Sequence, residues 1–297
     1  MNQLLNRRSF LVAMASLIVS PGCTALMVNK NDDSSEKTQL EKIERDLDGR
    51  IGVFALNPAD GKQFWYRADE RFPVCSTFKV IAVSAILAKS GQISGLMQQV
   101  IKYKPSELVS NSPITEKHVD EGMTVADLCA AGIQYSDNTA ANLLIGILGG
   151  PGAVTDFARS IGDTEFRLDR WETVLNSAIP DDPRDTSTPL AMGRSLYRLV
   201  LGDALKPESR AQLKNWLLGN TTGAARIKAG IPASWKIGDK TGTGQYGTAN
   251  DIAVLWPTKH GPVVVAIYTT RHKKDAAAQN EVIAAATKIV VNGFGLP

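Results

Sequence analysis

Between Ser76 and Leu218 the apolar residues of this 297-residue chain recur mainly at helical spacing; on either side they alternate or cluster in short runs suited to strands. Thr38 to Asp48 has helical periodicity and stops before Gly49, a residue that fits a helix C-cap. Arg50 to Asn57 and Gln63 to Arg67 predict two strands, with Pro58-Ala59-Asp60-Gly61 as the turn between them. Helical runs centre on 77–89, 124–133, 138–148, 151–160, 189–201 and 207–217, separated by Gly, Pro and Asp. Trp235 to Lys240, Asp251 to Trp256 and Val263 to Thr270 then read as strands, the last two joined by Pro257-Thr258-Lys259-His260-Gly261-Pro262. A closing helix is predicted over Ala276 to Asn292.

Strands at both ends and helices between predict an α/β plus all-α protein. One antiparallel sheet is built from both chain ends and flanked by terminal helices, and a helical domain is inserted between its halves. The expected boundaries are 38–68 with 225–297 for the α/β domain and 69–224 for the all-α domain.

The first 22 residues read as an export signal: Asn6-Arg7-Arg8-Ser9-Phe10-Leu11 is basic, and the apolar run Leu11 to Val19 is too short to span a bilayer. Arg7-Arg8 fits a twin-arginine signal and equally an ordinary Sec signal. Ser20-Pro21-Gly22-Cys23 resembles a lipoprotein cleavage site with a poor first position; later cleavage to a soluble exported protein is the alternative. Residues 23–37 look like a flexible tether. Membrane contact is expected only through a lipid on Cys23.

Composition is globular, with 43% apolar and 21% charged residues, and a net charge of +3 with no basic stripe argues against a nucleic-acid partner. The histidines, His118, His260 and His272, have no ligand-like spacing, so no metal is expected and a Ser-His-Asp triad is hard to build. Cys75 and Cys129 remain; export permits a disulfide, but spacing does not define one.

Four clusters carry candidate chemistry. Ser76-Thr77-Phe78-Lys79 places a hydroxyl and an amine three residues apart on one face of a helix apolar on nearly every side. A lysine there needs partners or loses its proton, which is one way to activate a nucleophile; a snorkelling lysine is the bland alternative. Ser136-Asp137-Asn138 precedes an apolar helix and by itself is an ordinary N-cap. Lys240-Thr241-Gly242-Thr243-Gly244 ends a strand and suits a substrate carboxylate approaching the backbone. Arg170-Trp171-Glu172-Thr173-Val174-Leu175-Asn176 lies in a long irregular stretch, 167–188, whose neck Arg170 and Asp185 could close as an ion pair.

In this order the clusters resemble the class A serine β-lactamases, whose motif set is S-x-x-K, S-D-N and K-T-G. The resemblance runs from about Ser35 to the end and includes Ser112-Pro113-Ile114-Thr115-Glu116-Lys117-His118 and Gln134-Tyr135-Ser136-Asp137-Asn138-Thr139-Ala140. It is nearest the cefotaximase-type and chromosomal penicillinase branches. It implies acylation of Ser76 by a β-lactam, with Lys79 or Glu172 taking the serine proton and Ser136 relaying one to the lactam nitrogen. The Ser76 and Thr243 backbone N–H groups would form the oxyanion hole. Asn138 would contact the substrate amide, Lys240, Thr241, Gly242 and Thr243 its carboxylate, with Arg226 helping or else standing as a surface arginine. Glu172 and Asn176 would position the hydrolytic water. The implied protein is a periplasmic monomer acting on small β-lactams without a cofactor. A penicillin-binding D,D-peptidase and a silent binding lipoprotein are the alternatives; the Glu172 loop distinguishes turnover from permanent acylation.

The chain departs from the family at four places. Thr173 stands where a proline often follows the loop glutamate, and Asn111 where an aromatic side chain usually faces the substrate. Val83 occupies the position that would pair with Cys129, and Gly244 the position that would pair with Cys75, so both thiols are expected to be free.

Overall fold

The structure, a computed structural model, describes residues 34–296. The readings of the export signal, of Cys23 and of the tether up to Asp33 lie outside the described residues. Helix α1 (Ser34–Leu47) leads into β1 (Gly49–Leu56), β2 (Gln63–Tyr66) and the short β3 (Phe72–Pro73). Ser34 to Lys37, read as the end of the tether, is instead the first turn of α1. Gly49 is not the cap: Asp48 takes the left-handed turn (φ 53°), and Gly49 begins β1, where a Cβ would collide with the Thr270 carbonyl oxygen.

The middle of the chain holds α2 (Phe78–Ser90), β4 (Val100–Ile101), β5 (Met123–Thr124), α3 (Val125–Gln134), α4 (Asn138–Leu148), α5 (Pro151–Ser160), β6 (Thr186–Ser187), α6 (Pro189–Val200) and α7 (Pro207–Leu218). Side-chain caps start three of these helices: Thr124 accepts from Asp127 N, Asp137 from Ala140 N, and Thr188 from Ala191 N with Pro189 following. Strands β7 (Lys236–Thr243), β8 (Ala249–Trp256) and β9 (Val263–Arg271) and helix α8 (Asn280–Gly293) complete the chain.

All pairings in the five-stranded sheet, ordered β2-β1-β9-β8-β7, are antiparallel. The sheet is covered on both faces, which is why its strands read as continuous apolar runs. Along β9, Val263, Val265 and Ile267 join the core beneath α1 and α8, while Val264, Ala266 and Tyr268 join the larger core shared with α2 to α7. The closing helix starts four residues later than its alanines predict. The chain just before that segment is held against the Tyr246 turn, with Tyr246 N donating to Lys274 O at 2.9 Å, and Ala276 N closes a local turn onto Lys273 O at 3.1 Å.

Helix α2 runs through the larger core, and every side chain from Phe78 to Leu87 is buried. Its large apolar side chains each stabilise the fold by about 1.5–3 kcal/mol. That is the scale needed to offset a buried Lys79, whose desolvation alone costs several kcal/mol.

Candidate active site

Ser76 sits in a tight 3₁₀ turn, Cys75–Thr77, that delivers the chain into α2. Cys75 adopts the left-handed region (φ 43°), which aims the turn at β7. Gly242 makes that approach feasible, since a Cβ there would stand 2.9 Å from Val74 O and 3.2 Å from Ser76 N. The end of β7, with Thr243, therefore lies directly against the nucleophile turn.

Lys79 is fully buried and densely partnered. Its Nζ donates to Asn138 Oδ1 at 2.6 Å, Ser136 O at 2.8 Å, Ser76 Oγ at 3.0 Å and Ser136 Oγ at 3.4 Å, and pairs with Glu172 Oε1 at 3.1 Å. Burial pushes its ammonium below the usual lysine range, and the Glu172 carboxylate opposes that shift. Ser76 Oγ in turn donates to Glu172 Oε1 at 3.2 Å. Lys240, also fully buried, donates to Ser136 Oγ at 2.9 Å and Thr241 O at 2.8 Å. Burial and the neighbouring Lys79 hold its ammonium well below its ordinary range. Two weakened ammonium groups thus converge on one serine hydroxyl, Ser136.

The segment 109–115 frames Ser136 to Thr139. Asn111 Nδ2 donates to Ser136 O at 3.1 Å, and Asn111 O accepts from Asn138 N at 3.0 Å. Ser110 O accepts from Asn138 Nδ2 at 2.8 Å, and Asp137 accepts from Ile114 N and Thr115 N at 3.0 and 2.9 Å. Asn111 and Ser136 are both left-handed (φ 61° and 57°). Asparagine tolerates that conformation better than most residues, and here its amide is spent on backbone.

The Glu172 loop is pinned at both ends. Arg170 Nε donates to Asp185 Oδ2, and Asp185 Oδ1 accepts from Asp169 N and Arg170 N at 2.7 and 2.9 Å. The neck pair read from sequence therefore forms, with Asp185 entirely buried. At the tip, Asn142 of α4 donates to Glu172 O and accepts from Glu172 N, both at 2.9 Å. The Glu172-Thr173 peptide is cis. Asn176 Nδ2 donates to Glu172 Oε2 at 2.6 Å, while Asn176 Oδ1 is buried without a protein partner.

Ser76, Ser136, Asn138, Asn176, Arg226, Thr241, Gly242 and Thr243 line one cavity of about 310 Å³, together with Asn111, Tyr135 and Thr222. Lys79, Glu172 and Lys240 lie beneath it. A larger cavity, about 600 Å³, opens between residues 178–183 and the end of β9. It holds none of the motif residues, so the convergence of reactive groups, not size, locates the site.

Arg226 is no surface residue. It is 6% exposed and donates to Gly242 O and Asn250 O at 2.7 Å, to Thr243 Oγ1 at 2.6 Å and to Asn280 Oδ1 at 2.8 Å. Cys75 and Cys129 are free and buried, and burial pushes both thiols up, away from reactivity. Asn142, Asn220, Thr222 and Asn280 were not among the sequence candidates. Only Asn142 had a signal, its i,i+4 spacing from Asn138 on one face of α4.

Behind Lys240, Asp239 and Asp251 lie within hydrogen-bonding reach of each other. Burial raises both acids, Asp239 to about 6 and Asp251 well above the usual range. Asp251 Oδ2 accepts from Ile227 N at 3.1 Å, and its Oδ1 finds no other partner. We expect a single proton shared between the two carboxyls to satisfy both. Folded protein then binds a proton that the unfolded chain releases above about pH 4. Stability from this pair is unaffected below that pH and falls as pH rises toward and past 6. Asp251→Asn mimics the protonated acid. It is expected to raise Tm by about 2–5 °C at pH 8 and by almost nothing at pH 4. An equal shift at both pH values in calorimetry would contradict the shared proton.

Comparison with known proteins agrees with this geometry. The Beta-lactamase enzyme family matches residues 36–294. Beta-lactamase Toho-1 of Escherichia coli is 53% identical over 288 residues, covering 97% of this chain and 98% of that one. Beta-lactamase OXY-1 of Klebsiella oxytoca is 56% identical over 256 residues, covering 86% and 88%. The crystal structure of a β-lactamase from Desulfarculus baarsii DSM 2075 superposes with a TM-score of 0.88 at 60% identity, covering 89% of this chain and 99% of that chain. Sequence, fold and the serine–lysine–glutamate arrangement agree, and the chain belongs to the β-lactamase enzyme family, in its class A serine branch.

Proposed function

We propose that the protein hydrolyses the cyclic amide of penicillins and cephalosporins through an acyl-enzyme on Ser76, giving resistance to these compounds. Ser76 Oγ attacks the lactam carbonyl carbon while Glu172 Oε1, 3.2 Å away, takes its proton. The charge that develops on the carbonyl oxygen is met by the Ser76 and Thr243 backbone N–H groups, each such donor contributing about 3–4 kcal/mol of transition-state stabilisation. The C–N bond breaks as Ser136 passes its proton to the lactam nitrogen; Lys79 resupplies Ser136 and regains a proton from Glu172 across their 3.1 Å contact, which leaves Glu172 ionised again, while Lys240 keeps its hydrogen bond to Ser136 Oγ. Lys240, Thr241, Gly242 and Thr243 hold the substrate carboxylate, Arg226 braces that end of β7, and Asn138 contacts the substrate amide. Water then gives a proton to Glu172 and attacks the acyl carbon, and the C–Oγ bond breaks with the proton returning to Ser76.

The observation that carries this reading is the Glu172–Asn176 pair beside Ser76: a carboxylate oxygen and an unpartnered amide oxygen, two acceptors suited to one water. A penicillin-binding peptidase needs only the acylating half. We further infer export to the periplasm and action as a monomer, on the N-terminal pattern and the single-chain site.

The purified protein is expected to hydrolyse a chromogenic cephalosporin over many turnovers per molecule. Stoichiometric labelling by penicillin without turnover would assign it instead to the penicillin-binding proteins.

A further inference from the structure

Thr222 lines the active cavity, and its side chain belongs to none of the sequence motifs. It sits on the loop after α7, beside β7. Its Oγ1 lies 2.6 Å from Thr241 Oγ1, a pair in which either hydroxyl can donate, and 2.9 Å from Asn220 Oδ1, to which it donates. Asn220 is itself fixed: its Nδ2 donates to Asp239 Oδ2 at 2.5 Å, so its Oδ1 must face Thr222. That oxygen also accepts from Thr222 N at 3.1 Å.

We propose that Thr222 is a positioning residue that directs the Thr241 hydroxyl proton toward an anionic substrate group. The inference rests on the reading of Thr241 as a holder of the substrate carboxylate. Proton counting carries it. Two hydroxyls hold two protons and can be arranged in two ways. In the free enzyme Thr241 donates to Thr222, which donates to Asn220. With a carboxylate at β7, Thr222 donates to Thr241, which donates to the carboxylate. Asn220 Oδ1 keeps its bond from Thr222 N in both states. Neither arrangement strands a proton, and the number of hydroxyl-donated bonds is the same in each. In the bound state the donor behind Thr241 satisfies its mostly buried oxygen and polarises the O–H aimed at the ligand. A valine at 222 keeps the shape but supplies no donor, leaving that oxygen unsatisfied.

The test is steady-state kinetics of the full enzyme on benzylpenicillin and a chromogenic cephalosporin. Thr222→Val is expected to raise KM about three- to tenfold, the range of one neutral hydrogen bond, with kcat within about twofold. Thr222→Ser, which restores the hydroxyl, is expected to return KM to that of the parent. Thr241→Val is expected to raise KM at least as much, and the double variant no further, because the two hydroxyls act as one unit. A Thr222→Val enzyme with unchanged KM beside an impaired Thr241→Val enzyme would overturn the role of Thr222 and leave the carboxylate reading intact. Unchanged KM in both variants would overturn the carboxylate reading itself. A fall in kcat and Tm together, not rescued by serine, would make Thr222 merely structural and also overturn the proposal.

Discussion

Replacing Ser76 with alanine is expected to abolish both turnover and covalent labelling, lowering kcat by about 10⁴-fold or more, the scale on which removal of a nucleophile acts. The fold should survive. Lys79 loses one contact at 3.0 Å but keeps Asn138 Oδ1, Ser136 O and Glu172 Oε1, so its charge remains compensated. Apart from that contact, Ser76 Oγ has one hydrogen bond, to Glu172, and Glu172 retains Asn176 and Lys79. Tm is expected to stay within about 2–4 °C of the parent, the shift from about 1 kcal/mol in a protein of this size. Intact-mass measurement after incubation with penicillin checks the chemistry. An adduct on the alanine variant, or residual turnover above about one per cent, would place the nucleophile elsewhere.

Glu172→Gln is expected to separate the two halves of the reaction. The glutamine retains the clamp by Asn142, whose bonds go to the backbone of residue 172. What it loses is the carboxylate. Deacylation, which needs a base for water, should slow by about 10²–10⁴-fold. Acylation has a second base to draw on. Burial already pushes Lys79 down, and Glu172 is the first influence opposing that shift. Without that negative charge the buried amine loses its proton more readily and can take the serine proton across the 3.0 Å contact. Mass spectrometry should therefore find a persistent acyl-enzyme, one equivalent per protein, after seconds of exposure to substrate. If no adduct forms, Lys79 does not replace Glu172 and the carboxylate is required for acylation as well. If turnover persists at the parental rate, Glu172 is not the deacylating base.

The two predictions depend on contacts of different legibility. Ser76 and Lys79 are three residues apart, and their proximity follows from helical geometry alone. Glu172 is 96 residues from Ser76, and no local rule joins them. Motif order, compared with a known family, put Glu172 among the candidates; the distances required the fold. Arg226 shows the limit more sharply. A lone arginine in a glycine- and alanine-containing loop carries no local sign of burial, and sequence left a surface role open. The structure spends four hydrogen bonds on it behind β7, because Gly242 O, Asn250 O and Asn280 Oδ1 meet there only after strands from the chain end pair and α8 docks. Thr222 and Asn220 escaped for the same reason, since their partners Thr241 and Asp239 lie 19 residues away across a strand edge.

Local misreadings also have local causes. Gly49 looked like a cap because glycine commonly ends helices, yet the sheet needed it for the close passage of β9. Ala276 to Gln279 looked helical because alanine favours helices, but the chain leading into them is tied to the Tyr246 turn through Lys274, and α8 begins only at Asn280.

By itself the sequence determined the class of the fold, the near-complete apolarity of α2, the cost of burying Lys79 and the four clusters that carry the chemistry. These follow from periodicity and from the price of desolvating charge, both properties of neighbouring residues. Only the tertiary structure decided which groups meet. It converged two lysines on Ser136, set Glu172 and Asn176 beside Ser76, turned Arg226 inward and joined Thr222 to Thr241. Those contacts bring together residues from distant parts of the chain, and their geometry is set by how two cores close over the two faces of one sheet.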